Sequence, residues 1–178
     1  ELREYTIFVD GTSKCFAATG VRVGWSFGPT KVIDLMKSLL THVGAWAPKP
    51  EQEAVAVFLE ERKNVDLYVD DFSGKISKSL QALHEGIQNM KSRAFSVNSI
   101  KPMGALYLTK ISPDGTKINT STDLVFYLIH EAGVALVPFS AFGNSSEMPW
   151  FRASVGGLSL NEIEKMLPRL ENALEKLI

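Results

Sequence analysis

The chain has 178 residues, 45% of them hydrophobic and 22% charged, with a formal net charge of −1. Those values fit an ordinary globular protein with a sizeable core and give no electrostatic footprint for nucleic acid or an anionic membrane. The single cysteine, Cys15, excludes an internal disulfide and a cysteine-based zinc site.

The chain opens on "ELREYTIFVD", without an initiator Met and leading straight into strand-like residues. "YTIFVD" predicts a first strand ended by Asp-Gly, and "VRVGWSFG" (21–28) predicts a second. Two short strands form no domain by themselves, so the pattern predicts the C-terminal piece of a longer protein. Pro29 suits the first turn of a helix in "TKVIDLMKSLLTHVG", whose apolar residues recur at helical spacing up to the stop signal Gly44. After the two-proline loop "AWAPKPE", helical residues run from about Pro50 to Met90, with Gly74 as a bend or break. A helix that long commonly bridges two lobes, and its acidic runs "LEEER" and "YVDDF" read as a solvated face.

The remainder reads as a compact α+β unit. "FSVNSI" and "GALYLTKI" are strands, with Gly104 allowing close backbone approach, and "SPDGT" is a turn. "STDLVFYLIHEAG" is a helix with a Ser/Thr/Asp start and a Gly133 stop. "VALVP" and "WFRASVG" are short strands. The last helix, "SLNEIEKMLPRLENALEKLI", takes Ser159 as N-cap with Glu162 three residues on, and Pro168 is expected to kink it. No repeat, low-complexity tract or membrane-length apolar run interrupts this order.

The chemistry concentrates in "DGTSKCFAATGVRVGW" (10–25). A lysine amine becomes a useful nucleophile only when its surroundings lower a pKa of about 10.4. Lys14, after a strand and flanked by Ser13 and Cys15, is either such a group or a solvated turn residue. Arg22 lies in an apolar strand-like run, where a guanidinium must meet an acid or a polar ligand. Gly20 and Gly24 leave room for close approach, and Thr12 and Ser13 offer hydroxyls nearby. Lysine, hydroxyls and arginine together suit a carbonyl compound that carries a phosphate. His42, His84 and His130 have no metal-ligand spacing, Cys15 reads as a packing residue, and "GTSK" lacks the spacing of a nucleotide-binding loop.

This stretch resembles the Schiff-base lysine motif of the class I/II aminotransferases, the fold-type I pyridoxal-phosphate enzymes: Ser-Lys, a short run with an aromatic, then Gly-x-Arg-x-Gly. The likeness continues in order through "GALYL", "LIHEAGVALVPFSAFG" and "WFRASV". It implies an α/β fold: the C-terminal part of the large pyridoxal-phosphate-binding domain, with the start of the linking helix, over residues 1–60, followed by a small α+β C-terminal domain over 61–178. It implies that Lys14 bonds the cofactor and then moves the proton at the substrate α-carbon. Arg22 would hold the cofactor phosphate, with Ser13 and Thr12 beside it, and Arg152 would hold the substrate α-carboxylate. The implied activity is exchange of an amino group between an amino acid and a 2-oxo acid, in a cytoplasmic homodimer. The same three residues equally suit a lyase, decarboxylase or synthase of the superfamily, or a binding protein descended from the fold.

The sequence departs from the pattern at three places. Gly11 stands where the family often has a phosphate-binding serine, which leaves Thr12 or Ser13 to supply the hydroxyl. Phe139 stands where a glycine often follows the proline, which narrows the substrate entrance. The loop around Trp46, an interface candidate, matches only loosely. The family's partner for the pyridine nitrogen, its stacking aromatic and its glycine-rich phosphate turn lie upstream of the lysine, so the chain alone is expected not to transaminate.

Overall fold

The computed structural model describes residues 2–103, 107–111 (as backbone), 118 and 120–177. The Gly104 and "SPDGT" expectations lie outside them. The chain divides into two compact units, 1–73 and 74–178.

In the first unit, a 3-10 turn at Arg3–Tyr5 leads into β1 (Phe8–Gly11), which pairs antiparallel with β2 (Gly24–Phe27) in register Phe8–Phe27 to Gly11–Gly24. Both strands are shorter than the sequence pattern suggests. Tyr5 belongs to the 3-10 turn, and Val21 and Arg22 precede the ladder. Between the strands lies α1 (Thr12–Cys15), a helical turn where the composition suggested a plain loop. The hairpin tolerates no side chain at its closest point. A Cβ on Gly11 would stand 2.9 Å from the Val23 carbonyl oxygen and 3.0 Å from the Gly24 Cα. Of Gly11, Gly20 and Gly24, the close-approach glycines are therefore Gly11 and Gly24, whereas Gly20 has open space around it.

α2 (Thr30–Val43) follows Pro29 and stops at Gly44, whose left-handed φ of 68° lets its N–H reach the Leu40 carbonyl. The long helix expected from Pro50 to Met90 is two helices, α3 (Lys49–Glu60) and α4 (Arg62–Ser92). They part at Glu61, whose ψ of 58° leaves the helical region, and Gly74 sits inside α4 with no break. A glycine lowers helix propensity by only about 1 kcal/mol, too little to interrupt a 31-residue helix held by its neighbours.

The second unit begins within α4. Its sheet has the order β3-β4-β6-β5, all antiparallel: β3 (Val97–Ser99), β4 (Tyr107–Ile111), β6 (Trp150–Ala153) and β5 (Val137–Pro138). α5 (Ser121–Ala132) and α6 (Leu160–Glu175) complete it. Both start in capping boxes, Thr120 with Asp123 and Ser159 with Glu162. Gly133, at φ 64°, ends α5. α6 runs through Pro168 as one helix. Leu83, Ile87 and Met90 of α4, Leu124 and Leu128 of α5, Phe151 and Ala153 of β6, and Ile163, Leu170 and Leu174 of α6 pack into one core. Alternation along β6 then puts Arg152 on the other face of the sheet.

Candidate functional site

In the first unit the candidate residues gather around one backbone tie. The Val23 carbonyl accepts both the Thr12 N–H, at 3.0 Å, and the Thr12 Oγ1–H, at 3.1 Å. Thr12 is buried, so its hydroxyl is spent on this bond and locks α1 against the start of β2. Lys14 lies two residues after the tie and Arg22 one residue before its acceptor. Ser13 is half-buried, whereas Lys14 and Arg22 are exposed. Among the described residues the Lys14 ammonium has no hydrogen-bond or ion-pair partner.

Arg22 is not a strand residue. It adopts φ 59°, a left-handed conformation rare for a residue with a Cβ. Its Nη1 donates to the Thr19 carbonyl at 2.9 Å, curling the guanidinium back over the 18–22 turn. No carboxylate among the described residues pairs with it, and its other donors stay available. The alternative in which Arg22 serves a structural acid therefore has no acid to name among the described residues.

Cys15 donates its Sγ–H to the Gly11 carbonyl at 2.9 Å. Burial, with the Asp10 charge adding to it, pushes this thiol above its ordinary range. It stays protonated at neutral pH and packs, as its sequence context suggests.

In the second unit Arg152 is half-buried in β6, opposite Leu108 of β4 and Val137 of β5. No acid among the described residues pairs with it either. Phe139 follows β5 directly, in a 3-10 turn that sets it edge-to-face on Phe142 at 5.8 Å. His84 Nδ1 lies 2.8 Å from Ser99 Oγ, which also accepts from Gln88 Nε2 at 2.9 Å, in a polar cluster joining α4 to β3.

One contribution runs against the sequence expectation. The "YVDDF" segment is not simply a solvated face. Tyr68 and Phe72, one turn apart on α4, stack at 6.0 Å, and the Tyr68 hydroxyl donates to the Phe16 carbonyl at 2.8 Å. The signal present in the sequence was the i,i+4 aromatic spacing, concealed by the two aspartates between them.

A free lysine and an arginine without an acid, held by one hairpin, match a family by sequence as well as by residue type. The model of aminotransferase class I and II matches residues 1–170. The chain belongs to that family. An aspartate aminotransferase of Rhizobium meliloti (strain 1021) is 31% identical over 184 residues, a match that covers 99% of this chain and 42% of the relative. One from Geobacillus stearothermophilus is 26% identical, covering 98% and 42%. Among solved structures, the aspartate aminotransferase from Rhizobium meliloti superposes with a TM-score of 0.79 at 29% identity, covering 99% of this chain and 44% of its own. The aromatic aminotransferase from Pyrococcus horikoshii OT3 gives 0.85 at 26%, covering 99% and 45%. The fold is thus the α/β fold of these fold-type I aminotransferases, and the chain spans less than half the length of the relatives it matches.

Proposed function

We propose that this chain forms the lysine-bearing and C-terminal portion of a pyridoxal-phosphate-dependent aminotransferase that exchanges an amino group between an amino acid and a 2-oxo acid. The observation that carries this is that Lys14 and Arg22 flank the Thr12–Val23 tie in sequence, two residues after Thr12 and one before Val23, both without a protein counter-charge among the described residues. The residues fit the cofactor in kind. A free amine suits its aldehyde, and a guanidinium with donors to spare suits its phosphate.

When bound, the cofactor supplies an electron sink for negative charge at the substrate α-carbon. Lys14 would hold the cofactor covalently and, once released, carry the proton to and from that carbon, already in position for the transfer. Arg22 would grip the phosphate and Ser13 would lie beside it. Thr12, whose hydroxyl proton is committed to Val23, would act through its remaining acceptor capacity and by fixing α1. Arg152, on the face of its sheet away from the core, would orient the substrate by its carboxylate. Amino transfer is favoured over lyase, decarboxylase or synthase chemistry because the relatives named above are aminotransferases.

A homodimer in the cytoplasm belongs to the same proposal, and Trp46, about half exposed between α2 and α3, is its interface candidate. No helix among the described residues is long and apolar enough to cross a membrane. The chain by itself is expected to show no turnover, because the relatives place more than half of their length outside the region it matches.

Borohydride reduction in the presence of pyridoxal phosphate tests the reading. The full-length polypeptide carrying this sequence should yield one pyridoxyl adduct, at Lys14, and the Lys14→Arg variant none. Adducts scattered over several lysines, or none at all, would sink it and leave a binding protein built on the fold.

A further inference from the structure

We infer that Tyr68 is a positioning residue for Lys14, a role that rests on Lys14 being the cofactor-holding lysine. α1 has four residues, too few to hold helical form alone, and its N-cap Gly11 supplies no side-chain bond. Its geometry is imposed from outside. At the start, Thr12 is tied twice to Val23. At the exit, the Thr12 carbonyl accepts the N–H groups of Phe16 and Ala18, each at 3.2 Å, and Ala17 between them is forced to φ 52°. That conformation is disfavoured for any residue with a Cβ, so something must hold the exit closed.

The aromatic cluster does this. Tyr68 donates its hydroxyl to the Phe16 carbonyl at 2.8 Å, across 52 positions of sequence. The Phe16 ring sits edge-on to Phe58 of α3 at 5.4 Å and tilted against Tyr68 at 6.5 Å. Tyr68 is braced in turn by Phe58 at 6.5 Å and by Phe72 stacked at 6.0 Å. Both the carbonyl and the ring of the residue two positions after Lys14 are thereby fixed. Tyr68 is itself 41% exposed, so the bond lies in a partly solvated part of the unit rather than in its core. The cost of losing it then falls on where the turn sits rather than on whether the fold forms.

Tyr68→Phe keeps the ring and removes the bond, and Tyr68→Leu removes both. In Tyr68→Phe the amides of Phe16 and Ala18 should exchange about fivefold faster, the size expected for one net hydrogen bond. Amides beyond Gly74 should be unchanged. In the full-length polypeptide the maximal rate of borohydride trapping at Lys14 should fall by a similar factor. The half-saturating pyridoxal phosphate concentration should hold, since Arg22 and the phosphate contacts are untouched. Tyr68→Leu should lower the maximal rate further. Unchanged exchange at Phe16 and Ala18, or faster exchange throughout the chain, overturns the positioning role. Equal trapping at Lys14 in the unsubstituted protein and in Tyr68→Phe overturns that role while leaving the function of Lys14 standing. Absence of trapping at Lys14 in the unsubstituted protein overturns both.

Discussion

The residues up to Ser73 and those from Gly74 onward keep their apolar side chains in different places. In the second unit Leu124, Leu128, Phe151 and Ile163 are wholly shielded from solvent, and three helices and a sheet share one core. In the first, Val23 and Val65 are the buried large apolar residues among those described. Leu35, Leu39 and Val43 on one stripe of α2, and Val9 and Phe27 in the hairpin, stand exposed. Four ion pairs among the described residues show the same contrast. Lys49–Glu53 and Arg62–Asp66 each lie within one helix, whereas Arg93–Glu171 and Lys176–Glu131 tie separate elements together. The second unit consumes its own hydrophobic pattern. The first has the same amphipathic pattern and holds its candidate site by hydrogen bonds and ring contacts around Thr12 and Phe16. That arrangement places Lys14 without burying it, and it makes the candidate site depend on a few specific contacts.

The largest effect expected from this contrast is at Phe151, which is fully buried at the centre of the second unit. Phe151→Ala should cost about 3–5 kcal/mol, from lost burial and the cavity left behind. Denaturant unfolding followed through the second unit's amides should show it. A loss below 1 kcal/mol would mean that this core is not the source of the unit's stability.

Next comes Gly11, where the cost is steric and confined to the hairpin. Gly11→Ser would restore the residue type common in the family, yet its Cβ would meet the Val23 carbonyl and the Gly24 Cα, both backbone atoms that cannot rotate away. Overpacking of this kind costs about 1–3 kcal/mol. The Thr12 amide, bonded to Val23, should exchange roughly tenfold or more faster, at about 1.4 kcal/mol per decade. Unchanged exchange there would show that the strands separate freely and that the glycine is not required by the close approach.

These two sites show what the sequence could reveal. The helices of the second unit were legible because caps and periodicity agree there: Ser159 with Glu162, and the Gly133 stop, stand where the pattern puts them. Lys14, Arg22 and Arg152 stand in the order and spacing of a family motif, and the family model matches residues 1–170. What escaped was set by contacts distant in sequence. Arg22 reads as a strand residue because Val21 and Val23 flank it. Its left-handed φ comes from the Thr19 bond and the turn before it. Tyr68 reads as a surface residue beside Asp70 and Asp71, and only the fold brings it to Phe16. The break at Glu61 has no glycine or proline to announce it, and the glycine that is present, Gly74, breaks nothing.

The smallest effect expected is at the exposed pair Arg93–Glu171, because partly solvated ion pairs contribute least. Arg93 follows α4, donates to both Glu171 oxygens on α6, with Nη2 at 2.6 Å from Oε2, and also lies 5.6 Å over the Phe95 ring. The Arg93 hydrogen bonds hold the Glu171 carboxyl below its usual range, against an opposing effect of burial. A carboxylate depressed in the folded state stabilises above its unfolded pKa, about 4.3, and loses that contribution as pH falls through the lower folded value. The melting temperature of Glu171→Gln should therefore trail the unsubstituted chain by a constant margin from pH 7 to about 5, and the margin should close below about pH 4. Arg93→Ala should keep a residual deficit in acid, because the contact with Phe95 does not titrate. A Glu171→Gln margin that survives unchanged at low pH would mean that the pair joins α4 to α6 by packing rather than by charge. The contrast between ion pairs within helices and ion pairs between them would then lose its energetic meaning.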